Sequence, residues 1–381
     1  MTASADLERP ADTRVMGIVH TAMRRDLRRA RNALNAWPYP FDEQRVAIAE
    51  HLLWIMHFLR HHLESEDEHL YPMVRDHNPA AAELLDRMNA DHRATAPAMD
   101  RLVDAAVAYR ADAAARTEVL AALDELESVL LPHFEREERE TMPVVSAAIT
   151  EGEWRHWADE YNIKPLGPLE SFDEGLFIVD GASPDDTAAV GEMVPAVPRW
   201  LMLHVMIKRY RKAAFRRWHT AEFSPLRVPL GGRHSVFCAE SPDAVWAVLA
   251  DVTRVGEWSH ECRGARWLGD STRAEIGARF RGSNKSGLWR WRRLCTCTVA
   301  DKPRELVWVT DGGVFHDNSE WRFRLRPTPD GTWIEQTFRV LSLPVWLDRV
   351  IYRFVPAHRD RSRALEGDLD RLAQLVERES S

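Results

Sequence analysis

The chain reads as two folds in series, an all-α four-helix bundle followed by an α+β domain in which a helix lies across an antiparallel sheet. Three observations predict this. Apolar residues recur at helical spacing through residues 11–150. Beyond residue 233, short runs rich in β-branched and aromatic residues replace them. At 381 residues, the chain also suits two cores better than one.

The first helix is expected over Ala11–Ala36, where Val19, Met23 and Leu27 share a face with His20, and Pro38 and Pro40 around Tyr39 end it. The second runs from Asp42, read as its N-cap, to Asp76, with Leu52, Ile55, Met56, Leu59, His62 and Glu66 in phase, and Asn78-Pro79 breaks it. The third spans Pro79–Tyr109 with His92 on its apolar side, and the fourth Ala113–Ala148 with His133 and Glu137. Pro97, Pro132 and Pro143 fall inside these runs and predict a kink or break near each. Residues 151–222 read as a helical extension, opened by a capping box at Thr150-Glu151-Gly152-Glu153, with later helices started at Ser183 and Pro195 and ending near Trp218.

Phe223-Ser224-Pro225 to Gly231-Gly232 has the composition of a linker. The second domain, 233–378, opens with a strand at Ser235–Ala239 and a helix capped by Ser241-Pro242-Asp243. Further strands are expected at Ala265–Leu268, Ala278–Gly282, Leu294–Val299, Glu305–Thr310, Trp321–Arg326 and Thr332–Val340. In Trp321-Arg322-Phe323-Arg324-Leu325-Arg326 the alternation puts apolar residues on one face and Arg on the other, which suits a sheet with one solvated side. A closing helix, Val345–Glu377, interrupted at Pro356, carries the apolar stripe that must cover the sheet. Trp258, Trp308, Trp321 and Phe323 are expected as core rather than as the wall of a pocket.

The chemistry lies in a repeat. His62-x-x-x-Glu66-Asp67 with Pro72, and His133-x-x-x-Glu137-Glu138 with Pro143, share one pattern 71 residues apart, and His20 and His92 precede them at similar distances. Residues i and i+4 stand one above the other on a helix, so each His–Glu pair can offer a nitrogen and a carboxylate to one point. Four helices turning such donors inward is a recurrent way for bundles to hold two iron ions, with manganese the alternative. The absence of thiolate from the set favours these metals over zinc. His20, His62, Glu66, His92, His133 and Glu137 are the expected metal ligands. His61, about 100° round the helix from His62, is an alternative to it, as is His69; Glu138 is an alternative to Glu137. His51, His57, His77 and His156 read as surface or satisfied core residues.

Composition excludes other classes. A net charge of −8 with interspersed signs offers no nucleic-acid footprint. No apolar run reaches the length of a membrane span, and Met1–Asp6 lacks the basic and apolar regions of a secretory signal, so a cytoplasmic address is expected. Cys238, Cys262, Cys295 and Cys297 fit neither a zinc knuckle nor a redox pair and read as reduced thiols.

Through His20, His62, Glu66, His92, His133 and Glu137, residues 11–150 resemble the hemerythrin-like, or HHE cation-binding, family. The resemblance implies a bundle with a non-haem di-iron centre, in which the four His are terminal ligands and the two Glu are bridges. Oxygen-carrying hemerythrins have a further His one turn after the third-helix His. Ala96 stands there in this chain. Fewer His ligands imply an iron more open to solvent or a small ligand.

Through Ala239-Glu240-Ser241-Pro242-Asp243-Ala244-Val245-Trp246, Gly256-Glu257-Trp258-Ser259 and the closing helix, the second half is similar to the START-like or SRPBCC superfamily, which includes proteins named polyketide cyclases. That implies a helix-grip fold and a cavity for a hydrophobic small molecule. Three functions follow as expectations. The first is a di-iron binder or sensor of oxygen, nitric oxide or peroxide coupled to a hydrophobic-ligand domain. The second is a di-iron oxidoreductase acting on peroxide or a cavity-bound organic substrate, and the third a lipid or polyketide carrier with a structural metal.

Overall fold

The computed structural model describes residues 7–36, 40–355, 358–359 and 361–380 and separates into two compact units, Met1–His219 and Thr220–Ser381. The expectations placed on Met1–Asp6, Pro38, Tyr39 and Pro356 lie outside the described residues. Among the described residues no helix is long and apolar enough to cross a membrane.

In the first unit, α1 (Arg14–Asn35) buries Met16, Val19, His20, Met23, Leu27 and Leu34 along one face. In α2 (Asp42–Ser65), Asp42 is the first helical residue and Phe41 holds the cap position, so the expected Asp cap instead faces the dipole from within the first turn. Then α2 passes through a π-helical turn, Glu66–Leu70, into α3 (Tyr71–His77). After Asn78 leaves helical geometry, α4 (Ala82–Ala111) and α5 (Arg116–Arg136) follow, and α5 passes through a second π turn, Glu137–Thr141, into α6 (Met142–Ala148).

The prolines explain part of this. Pro97 and Pro132 sit inside α4 and α5 without breaking them. Each proline is exposed, as are Arg93 and Ser128 four residues earlier, so the carbonyl that loses its donor can turn to water. Pro72 and Pro143 instead stand one residue after a π turn closes, where Tyr71 N–H reaches back to Glu66 O and Met142 N–H to Glu137 O. Widening the ladder to five residues relieves the clash a proline ring makes with the carbonyl four residues back. The interruption expected at Pro143 is thus a widening of the helix.

The extension begins at α7 (Glu151–Trp157), whose Thr150 and Glu153 form the expected capping box. It continues as α8 (Pro168–Val179), α9 (Pro184–Glu192), capped by Ser183, α10 (Ala196–Leu201) and α11 (Ile207–Trp218). Arg25 holds the end of α8 through the Phe177 and Asp180 carbonyls, and the Trp157 indole donates to the Ser65 carbonyl at 3.1 Å, at the edge of the first π turn.

The second unit is a seven-stranded antiparallel sheet, β1 (Gly231–Cys238), β2 (Cys262–Leu268), β3 (Arg279–Ser286), β4 (Trp289–Asp301), β5 (Glu305–Asp311), β6 (Asn318–Thr328) and β7 (Gly331–Ser342), in the order β1-β7-β6-β5-β4-β3-β2. Between β1 and β2 lie α12 (Pro242–Leu249), capped by Ser241, and α13 (Val255–Trp258). The closing helical run is two elements, α14 (Val345–Phe354) and α15 (Ser362–Ser380). Leu365, Leu369, Leu372 and Val376 of α15 pack into one core with Phe280, Phe323 and Ile334 of the sheet, a helix-grip arrangement.

Gly231 and Gly232, read above as linker, belong to β1. Their lack of a side chain serves packing, since a Cβ on Gly232 would stand 2.8 Å from the Phe338 ring and one on Gly231 2.6 Å from the Phe338 carbonyl. The four cysteines are free, and burial pushes the thiols of Cys238 and Cys297 up to about 11.

Candidate metal centre

The two His–Glu pairs and the two single His come together inside the bundle. His20, His62, Glu66, His92, His133 and Glu137 are all buried, and both glutamates are 0% exposed. They sort into two His pairs joined by the carboxylates. His20 and His62 face each other with Nε2 atoms 3.3 Å apart, and the rings of His92 and His133 meet edge to face at 4.6 Å. Glu66 spans the pairs, with Oε1 3.4 Å from His62 Nε2 and Oε2 3.7 Å from His92 Nε2. Glu137 spans them as well, its Oε2 3.4 Å from His20 Nε2 and 3.6 Å from His133 Nε2.

The far nitrogens are held by acids. His20 Nδ1 lies 2.9 Å from Glu138 Oε1, which Arg24 also donates to; His92 Nδ1 lies 2.8 Å from Asp67 Oδ1. A carboxylate only accepts, so each Nδ1 carries the proton and each Nε2 turns a lone pair toward the middle. Glu138 and Asp67 occupy equivalent places in the two copies of the motif, each supporting the single His of the other copy. Glu138, an alternative ligand by sequence, is therefore placed behind His20. Around them, Phe134 stacks on His20 at 4.0 Å, and Tyr71 OH donates to Glu137 Oε1 at 2.8 Å.

The other histidines lie elsewhere. His61 faces a neighbouring cavity, and His69 stacks on Tyr161. His57 is exposed. Buried His51 bonds Asp26 at 2.7 Å and is a satisfied core residue.

The fit to a cation can be read from what these atoms lack. Both Glu66 oxygens, Glu137 Oε2, His92 Nε2 and both His133 ring nitrogens are buried without a hydrogen-bond partner. Burial, then the neighbouring His rings, holds His62 well below its ordinary value, and burial likewise drives His133 down to about 2, so these imidazoles stay neutral. Burial, with Glu137 and Asp67 nearby, pushes Glu66 well up. Neutral imidazoles and crowded carboxylates are what a bound cation satisfies, and it would reverse the push on Glu66. An ion about 2.1 Å from two adjacent donors leaves them about 3.0–3.4 Å apart, close to the spacings here. The donors meet in pairs: among the described residues no three such side chains are already closed around a single ion position. Chemically, the residues fit a cation.

The chain thus sets a helical bundle with a buried His and carboxylate cluster before a sheet gripped by a helix. Residues 11–145 match the hemerythrin HHE cation binding domain, and residues 233–377 match the polyketide cyclase/dehydrase and lipid transport family. No curated protein matches it. Solved structures similar to part of it include the Zhui aromatase/cyclase from a Streptomyces species, at 16% identity over 40% of this chain and 95% of that one, with a TM-score of 0.33. A polyketide cyclase-like protein from Corynebacterium glutamicum is 23% identical over 40% and 94%, with a TM-score of 0.29.

In the second unit, a cavity of about 160 Å³ lies between sheet and helices. Trp258, Trp308, Trp321 and Phe323 all line it, so residues expected as core alone are also its wall. One end is polar: Glu261 lies 3.4 Å from His358, and Asp368 bonds His260 at 2.7 Å. His358 and Arg361, against the cost of burial, hold Glu261 down to about 2.

Proposed function

We propose that the first unit is a non-haem di-iron protein that binds or senses a small molecule such as oxygen, nitric oxide or peroxide, and that it serves a second unit that takes a hydrophobic small molecule. The observation that carries this reading is the set of buried donors without partners on Glu66, His92, His133 and Glu137, gathered with buried His20 and His62 from the four bundle helices. His20 with His62, and His92 with His133, would each hold one iron, and Glu66 and Glu137 would bridge them. These six side chains would be the protein's whole contribution, since Ala96 offers no further donor. When bound, the irons supply redox change and reversible capture of a small ligand.

The chain's own residues prepare the place. Glu138 and Asp67 fix the ring tautomers and orientation of His20 and His92. Tyr71 holds Glu137 by one oxygen, leaving the other for bridging. Phe134 shields His20 from water. Absorption spectra of the reduced, iron-loaded protein on adding oxygen, nitric oxide or peroxide test the reading. A spectral change without turnover supports a binder or sensor, rapid consumption of peroxide moves the assignment to an oxidoreductase, and a centre inert to all three leaves a structural metal beside a carrier domain.

A further inference from the structure

The helical extension has no counterpart in the repeat that builds the metal cluster, yet it walls a cavity of about 480 Å³ against α1 and α2. The lining is mainly apolar, with Val19 and Phe58 on the bundle side and Trp154, Ile163, Phe172 and Met202 on the extension side. His62 is part of that lining, so the space adjoins the cluster. Asn162 lines it too. Its Oδ1 accepts from Ser65 Oγ at 2.9 Å, while its Nδ2 is buried with no partner. A buried amide donor left unpaired is costly, and an acceptor brought in by a ligand removes that cost. On α8, burial and the neighbouring Glu170 push the Glu174 carboxyl up to about 8, so at neutral pH it offers a second donor. Neither Lys nor Arg lines the space, which disfavours an anion. Its volume falls in the range that holds small organic molecules.

We infer that this cavity is a binding chamber for a neutral, largely apolar organic molecule bearing a hydrogen-bond acceptor such as a carbonyl, held by Asn162 with one edge toward His62. Placement beside an iron rests on the di-iron reading; occupancy of the chamber does not. The chamber therefore gives the cluster a second class of ligand besides a diatomic gas or peroxide, and it gives the extension a role.

The test uses the full-length chain and prodan, a neutral fluorescent ketone. Saturable binding with blue-shifted emission is expected. Asn162→Leu should weaken it about tenfold, the scale of one lost hydrogen bond, and Ile178→Trp, which fills the space from α8, should remove one equivalent. If Ile178→Trp does not fold, Asn162→Leu and the wild-type stoichiometry still decide. No saturable binding, or binding unchanged in Asn162→Leu and in a folded Ile178→Trp, overturns the inference and places any bound probe elsewhere. Prodan binding that Asn162→Leu weakens, in a chain that retains no iron, upholds the chamber and refutes the di-iron reading; iron retention without such binding does the reverse.

Discussion

Removing the metal should destabilise the first unit and leave the second unmoved. In the metal-free chain the Glu66 oxygens, Glu137 Oε2, His92 Nε2 and the His133 ring nitrogens are buried and unpaired, and each such group costs about 1–3 kcal/mol. An ion that binds only the folded bundle recovers this through linkage, giving about 4.1 kcal/mol when free ion is about 1,000 times its Kd. For a unit of the length of Met1–His219, 1 kcal/mol moves the melting temperature by about 2–4 °C, so removal of each ion should lower it by about 8–16 °C. Scanning calorimetry of the full chain, iron-loaded and then stripped with a chelator and reductant, reads this directly. The upheld outcome is a drop in one transition with the other fixed. If iron is demonstrably gone and neither transition moves, the unpaired atoms are not metal donors.

Glu138→Gln and Asp67→Asn, which weaken the supports behind His20 and His92, should each reduce iron affinity about 10–100-fold without unfolding the bundle; competition with a chelator measures it, and exposed His57→Ala should leave affinity unchanged. Glu174 gives a pH prediction. Its folded value, about 8, lies above the ordinary 4.5, so the folded state keeps a proton the unfolded state loses; stability is fully present below pH 4.5 and falls as pH rises toward 8, by about a few kcal/mol. Glu174→Gln should flatten this loss in denaturant melts at pH 5 and pH 8.5, and an unchanged slope would mean the carboxyl is solvated. Phe323→Ala, which removes a fully buried ring from the sheet, should cost the second unit about 3–5 kcal/mol and shift only its transition.

The sequence revealed the parts of the centre that repeat with the helix. Four-residue spacing brings His62 to Glu66 and His133 to Glu137, and the duplication ties His20 to His92, so those six residues could be placed without coordinates. The supports were harder to see. Asp67 and Glu138 were visible as the acid after each Glu, but neighbours on a helix point about 100° apart, and only the fold shows that each crosses to the single His of the other copy. The π turns depend on which carbonyl each N–H chooses, a phase that apolar periodicity does not record; Pro72 and Pro143, just past each turn, are the local signal. Tyr71, five residues after Glu66, falls into line with the cluster only once that turn is known.

In the second unit, alternation placed the core of β6, because Trp321, Phe323 and Leu325 share one face, whereas Gly231 and Gly232 read as linker because nothing local records the approach of Phe338. The extension carries no repeat, so its part in walling a cavity beside His62 emerged only from packing.

The most direct test of the account is iron content per chain, measured by elemental analysis on the wild type and on His61→Ala, His62→Ala, Glu66→Ala, His133→Ala and Glu137→Ala. Two irons per chain are predicted for the wild type and for His61→Ala, with loss in each of the other four. One iron per chain with either His–Glu pair dispensable, or equal content in His61→Ala and His62→Ala, would contradict a dinuclear centre built from the duplicated pairs.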